Sequence, residues 1–356
     1  MVKILDIIIK IIAITLVIFI LYCLTIGRSF GIKQINKIKG MYYVNQGDKA
    51  FKKHDMQAAV NAYQTGLLIF PEHYEAWLNL GNIYVSYEDY FSATEAYQNA
   101  INAKNNYTLA RMNLGIITAE KLGDFDGAID QYKAIISAKK RLISIPFIYN
   151  NRKSETENRA IAYYNMGKAY YQKAFYLPKE NKDQKREYLS KAATAYENAV
   201  RIVKNDFNMF YNLALTYHIL GDYRKAGQYY CKAIDVGPMN YEAHYNLGLM
   251  LKHLRQETYA IDELEKAAVL SSSGYKINSQ YIFDILSAVS MDALQKGVPS
   301  KITDLKQEKD NDSTKQQKEN NENDDNSTNK TDKNETESSI IENFRKCNSK
   351  YLFETN

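Results

Sequence analysis

The sequence predicts an all-α protein, a row of stacked helix pairs behind one membrane-crossing helix. Three observations predict it. The run IIIKIIAITLVIFILYCLTIG fills residues 7–27 and holds one charge, Lys10. A pattern of apolar and small residues then recurs with a 34-residue period. After the last recurrence, residues 300–338 are polar and almost without apolar side chains.

The 356 residues suit one repeat array plus extensions. Apolar content is ordinary at 45%, and the scarcity of Gly (16) and Pro (5) disfavours a β-sandwich built on many tight turns. A net charge of +5, thinly spread without a Lys/Arg cluster, argues against a nucleic-acid partner. Cys23, Cys231 and Cys347 lie far apart with no C-x-x-C pair. They suggest neither a disulfide framework nor a zinc site, and fit a reducing compartment.

The first element is the anchor, residues 1–28. At about 1.5 Å per residue, 7–27 is long enough to cross a bilayer. No small-x-small cleavage site follows it, and Leu21 and Tyr22 are too bulky for lipoprotein cleavage before Cys23, so the helix is expected to stay attached. Lys3 and Lys10 lie on one side, and Arg28, Lys33, Lys37 and Lys39 on the other. That small excess favours a cytoplasmic location for the repeats. The expectation is a single-pass protein of a bacterial inner membrane, with residues 29–39 as a juxtamembrane linker.

The period begins at residue 40. In 74–107, Trp77, Leu80, Gly81 and Tyr84 fall at i, i+3, i+4 and i+7, one face of a first helix. Ala93, Tyr97 and Ala100 form the matching face of a second. Gly81 removes a side chain where that second helix must come close. The pattern returns in 40–73, 108–142, 160–206, 207–240 and 241–274, which makes six repeats. W-x2-L-G-x2-Y followed by A-x3-Y-x2-A resembles the tetratricopeptide repeat family. The resemblance implies a right-handed superhelical solenoid of six helix pairs, with first helices on the concave side and extended peptides as typical ligands. Such members act by binding, so no enzyme activity and no cofactor are expected.

Repeat four carries thirteen extra residues between its halves, read as both helices lengthened with Pro178 at the turn. An insertion with apolar LISIPFIY separates repeats three and four. Residues 278–297 read as a capping helix that closes the solenoid domain, 40–297. Residues 298–338 cannot bury enough apolar surface to offset the entropy of ordering and read as a disordered linker. The short end, 339–356, regains Ile340, Ile341, Phe344, Tyr351, Leu352 and Phe353.

One column is not explained by packing. The sixth residue of every repeat is Asn: Asn45, Asn79, Asn113, Asn165, Asn212 and Asn246. It lies off the apolar stripe, and in the family geometry it faces the groove. A side-chain amide offers both a donor and an acceptor, so a ladder of them can hold an extended backbone without reading its sequence. The column resembles the asparagine ladder in the repeat domain of the O-linked N-acetylglucosamine transferases. Position five beside it reads Val44, Leu78, Met112, Tyr164, Tyr211 and Tyr245, which suggests exposed apolar contacts for a peptide. The expected groove is therefore Asn79, Asn113, Asn165, Asn212 and Asn246 with Tyr164, Tyr211 and Tyr245. The carboxylate clamp known in the family requires Lys at position five, which is absent.

No phosphate loop, nucleophile elbow or paired catalytic carboxylates appear. His218 and His253 occupy inner positions without a third ligand, so no metal site is expected, and His244 stands at an aromatic packing position. Together these readings point to a membrane-tethered module that binds a protein or peptide partner. The alternatives are a self-associating scaffold and a regulatory subunit of an envelope or secretion complex.

Overall fold

The structure, a computed structural model, describes residues 2–138, 151–274 and 288. The expected cap helix (apart from Ala288), the polar linker, the short end and the apolar stretch 142–149 lie outside the described residues. The helices run in order: α1 (Val2–Lys52), α2 (Met56–Ile69), α3 (Tyr74–Ser86), α4 (Tyr90–Ala103), α5 (Thr108–Glu120), α6 (Phe125–Ser137), α7 (Asn151–Tyr176), α8 (Lys182–Ile202), α9 (Phe207–Leu220), α10 (Tyr223–Val236), α11 (Tyr241–His253) and α12 (Glu257–Gly274). Among the described residues there is no strand. Each odd helix packs on the even helix that follows, and the pairs stack consecutively within two compact units, α1–α6 and α7–α12.

The glycine spacing explains how each pair closes. A Cβ on Gly47, Gly81, Gly115 or Gly167 would sit 2.5–2.7 Å from the ring of Tyr63, Tyr97, Tyr132 or Tyr196, the central tyrosine of the same repeat's second helix. All four rings are 2% exposed or less. Each pair thus buries an aromatic ring against bare backbone of the facing helix. Repeat five uses Ala214 opposite Tyr230, and repeat six pairs Gly248 with Leu264.

The turns repeat as well. The residue before the second helix's cap has positive φ: His54 (61°), Glu88 (59°), Gly123 (69°), Gly221 (82°) and Arg255 (59°). In four repeats an aspartate follows and caps the second helix. Asp55, Asp89, Asp124 and Asp222 each accept a hydrogen bond from the backbone N–H three residues on, at 2.9–3.2 Å.

Two expectations change. The juxtamembrane stretch 29–39 is helical, because α1 runs without a break from residue 2 into repeat one. Nothing in 28–39 stops a helix: there is no proline, and Gly31 is the one glycine. The cysteine reading also changes, since Cys231, fully buried on α10, is disulfide-bonded. Sequence spacing of three lone cysteines cannot show a pair that folding brings together. The lengthening of repeat four is observed directly, with 26 residues in α7 and 21 in α8, joined by a turn that holds Pro178.

α1 is the one described helix long and apolar enough to cross a membrane by length and composition. Ile14, Val17, Phe19 and Leu24 are each more than half exposed.

Candidate peptide-binding groove

Asn45 is exposed, while the other five asparagines are half-buried on the first helices, and the amides of Asn79, Asn113, Asn212 and Asn246 already hold neighbours. In the unit α7–α12, Asn212 on α9 donates from Nδ2 to the Tyr164 hydroxyl of α7 at 2.7 Å. Asn246 on α11 donates to the Tyr211 hydroxyl of α9 at 2.8 Å, and also to the Glu242 carbonyl at 3.0 Å. The donor half of each amide therefore fixes the position-five tyrosine of the preceding repeat. The side-chain carbonyl oxygens of Asn212 and Asn246 accept no hydrogen bond. Asn165 is half-buried on α7.

The unit α1–α6 solves the same problem differently. Asn79 on α3 approaches the Tyr63 hydroxyl at 3.4 Å. Asn113 on α5 donates to Asn82 Oδ1 at 3.0 Å and lies 3.5 Å from the Tyr97 hydroxyl. The two tyrosines donate in turn to position-nine acceptors, Tyr63 to Asp48 at 2.6 Å and Tyr97 to Asn82 at 2.7 Å. Burial, and for Tyr63 also the Asp48 carboxylate, push both phenols above their ordinary range. Position nine was missed as part of the network. Its signal in the sequence is a polar residue four before a helix end in only two repeats.

Position five corrects the expectation of exposed apolar contacts. Val44, Leu78 and Met112 are buried, at 3%, 8% and 8% exposure. Val44 packs within van der Waals reach of Gly66 on α2, so this column belongs to the packing of helices and does not line a surface in α1–α6. In α7–α12 the tyrosines are only half-buried. Tyr211 stacks on Phe207 with ring centres 5.5 Å apart, and Tyr164 tilts against Tyr196 at 5.7 Å. Burial, with the Glu242 carboxylate beside it, raises the Tyr211 phenol to about 12, so it remains a neutral hydrogen-bonding group. Tyr245 packs against Ala267 and Ala268 of α12.

The histidines are absorbed by packing. His218 lies 3.3 Å from the Tyr230 hydroxyl and His253 lies 2.9 Å from that of Tyr223. Among the described residues no group of three or more His, Cys, Asp or Glu is placed to hold a metal. His244 is buried as expected, but it also joins a charged cluster. Its Nδ1 is 2.7 Å from Glu263 and its Nε2 3.1 Å from the Pro238 carbonyl. Glu263 is also 2.7 Å from Lys266. Burial works against the Glu263 charge, but His244 and Lys266 outweigh it and hold the carboxyl down at about 2.

Profiles of the tetratricopeptide repeat match residues 44–107 and 207–238. Those residues are tetratricopeptide repeats. Outside its family profiles it is similar to the BBSome complex member BBS4 of Bos taurus, at 23% identity over 239 residues, 67% of this chain. The repeat protein spans 40% of the length of that relative. Among solved structures it is similar to PilW, a type IV pilus biogenesis factor, with a TM-score of 0.49 at 15% identity, covering 68% of this chain and 98% of that one. It is also similar to YrrB, a tetratricopeptide repeat protein described as having an unusual peptide-binding site, with a TM-score of 0.45 at 16% identity, covering 61% and 95%. Repeats of this family make it a protein–protein interaction module.

Proposed function

We propose that the chain tethers a peptide-binding module to a membrane and holds an extended segment of a partner protein along the first helices of α7–α12. The observation that carries this reading is the pair of unengaged, half-buried carbonyl oxygens on Asn212 and Asn246. Their orientation is fixed by Tyr164 and Tyr211, so they are preorganised acceptors for the N–H groups of a peptide backbone. The proposed ladder is thus acceptor-dominated: both hydrogens of the Asn246 amide are spent inside the protein. Position-nine Leu215 and Leu249, both half-buried, would meet the apolar side chains of the segment. The proposal involves binding without a chemical step. The tether is the apolar part of α1, which would remain attached as a single span.

The test is in-cell photo-crosslinking from a photoreactive residue at Leu249 of the full chain, with adducts identified by mass spectrometry. A foreign protein captured by the parent, and lost in the Asn212→Ala, Asn246→Ala double variant with helicity unchanged, supports the reading. Two neutral hydrogen bonds correspond to roughly tenfold weaker binding. Unchanged capture by the double variant would move the amide column to a purely structural role.

A self-associating scaffold is the second reading, favoured by one surface of α1. Ile35, Ile38 and Tyr42 are 65%, 70% and 60% exposed. They lie opposite Lys33, Lys37, Gly40 and Val44, which meet Glu72, Phe70 and Gly66 of repeat one. Their spacing of three and four is that of a coiled-coil seam. Sedimentation of the detergent-solubilised full chain separates the readings: a dimer abolished by Ile38→Lys supports the scaffold, and a monomer removes it.

A further inference from the structure

Helices α8 and α10, with Phe210 of α9, form a pocket of about 540 Å³. That volume falls in the range of small-ligand clefts. Phe210 and Asn212 are two residues apart on α9, about 200° around a helix of 3.6 residues per turn, so the pocket and the amide column face opposite ways. The pocket is therefore a separate site within α7–α12.

Its walls are aromatic and aliphatic. The Phe210 and Tyr229 rings lie nearly parallel with centres 6.4 Å apart, and Val236 borders them. Its charges are not spent on one another. Arg201, Lys204 and Lys232 line the pocket, and none of the three makes an ion pair among the described residues. Glu197 stands four residues before Arg201, and Asp235 three after Lys232, spacings at which helix ions commonly pair. Here Glu197 instead accepts a hydrogen bond from the Tyr217 hydroxyl. Arg201 donates to the neutral Asn198 oxygen at 3.4 Å, and the Lys232 ammonium sits 4.8 Å from the centre of the Tyr229 ring. Burial pushes the Tyr229 phenol up, Glu197 adds to this and Arg201 opposes it, so both side chains act on the same wall.

Three cations thus share the pocket with two carboxylates, one of which already holds a hydroxyl. The excess fits a ligand with a single negative charge. A phosphate, with about two negative charges at neutral pH, would meet like charge at Glu197 and Asp235. A carboxylate matches the fork of an arginine and carries one charge. We propose that this pocket binds a carboxylate attached to an apolar or aromatic group, with Arg201 and Lys232 on the carboxylate and the Tyr229 and Val236 wall on the apolar part. That chemistry belongs to a free small acid and to the C-terminal residue of a peptide alike.

The test uses the full chain in lipid nanodiscs, with empty nanodiscs as the blank, and saturation-transfer NMR of two probes, N-acetylphenylalanine and its amide. The acid should bind, and the amide should bind at least about tenfold more weakly. The Arg201→Gln, Lys232→Gln double variant should lose a similar factor with helicity retained. Asp235→Asn should bind the acid a few-fold more tightly, because a like charge is removed. An N-acetyl tetrapeptide with a free C-terminal Phe separates the sources: tighter binding than N-acetylphenylalanine assigns the pocket to the C-terminus of a partner, and equal or weaker binding assigns it to a small acid. The proposal is overturned by saturation transfer from neither probe, by equal binding of acid and amide, by unchanged binding in the double variant, or by weaker binding in Asp235→Asn.

Discussion

The two units use one column of asparagines for two kinds of contact. In α1–α6 the amide turns toward the central tyrosine of the preceding repeat's second helix, over 3.4–3.5 Å, and a buried aliphatic residue fills position five. In α7–α12 a tyrosine fills position five, and the next repeat's amide bonds its hydroxyl at 2.7–2.8 Å. The side chain at position five thus decides what the asparagine does. An aliphatic residue there leaves the amide to other partners, as Asn113 bonds Asn82 at 3.0 Å, whereas a tyrosine draws it into a firm bond. The units differ again in their cores. Only α7–α12 buries a charged cluster among the described residues, His244 with Glu263 and Lys266.

The largest effect is expected at that cluster. Glu263→Ala leaves the buried His244 Nδ1 without its 2.7 Å partner, while Lys266 keeps Asp262 at 3.0 Å, and should cost about 3 kcal/mol in urea unfolding. The pH dependence follows from the same carboxyl. Its folded value, about 2, lies below the ordinary 4.5. Its contribution is therefore fully present above about pH 4.5 and is lost as pH falls toward 2. Glu263→Gln should flatten the acid side of a stability profile. An unchanged profile would mean that the acid response comes from elsewhere.

Next comes the closest helix approach. Gly81→Ala puts a Cβ 2.5 Å from the Tyr97 ring, and overpacking of this kind costs about 1–3 kcal/mol. Repeat five already accepts alanine opposite Tyr230. If Gly81→Ala were neutral by thermal unfolding, the two units would share one looser helix spacing.

The asparagines separate the units by smaller amounts. Asn212→Ala should lose about 1 kcal/mol, the worth of a well-made hydrogen bond, while Asn79→Ala should lose less than about 0.5. Equal losses would dissolve the distinction drawn from the distances. A further sharpening is Leu78→Tyr together with Asn113 intact: if position five is what decides, the new hydroxyl should capture the Asn113 amide.

Much of this was legible in the sequence, for reasons that can be named. Gly81 and Tyr97 are 16 positions apart within one repeating unit, so the period exposes their pairing. The asparagine column was legible for the same reason. Its partners were not, because Tyr164 is 48 residues from Asn212 and belongs to another repeat. Position five looked like a surface column because a helix wheel does not show the neighbour that covers Val44 or Leu78. His244 read as core from its place in the repeat. Its ion pair with Glu263 did not, since nothing in the pattern marks position 23 as buried. The Cys231 bond was hidden because a disulfide follows the fold and leaves no periodic trace.

The turns give the smallest contrast. Gly123 and Gly221 supply the left-handed residue before the second helix, but His54, Glu88 and Arg255 hold the same conformation with a side chain. A non-glycine residue at such φ is strained by contact between its Cβ and the backbone. Glu88→Gly removes that strain and raises the entropy of the unfolded chain, and the two effects partly cancel. The expected gain is about 0.5 kcal/mol by thermal unfolding. Gly221→Ala, with φ at 82°, should lose about 1 kcal/mol by the same reasoning. Opposite signs would show that the turn conformation is imposed by stacking in both units and that glycine only makes it easier. A loss in Glu88→Gly as well would mean that the Glu88 side chain contributes more than its backbone strain costs.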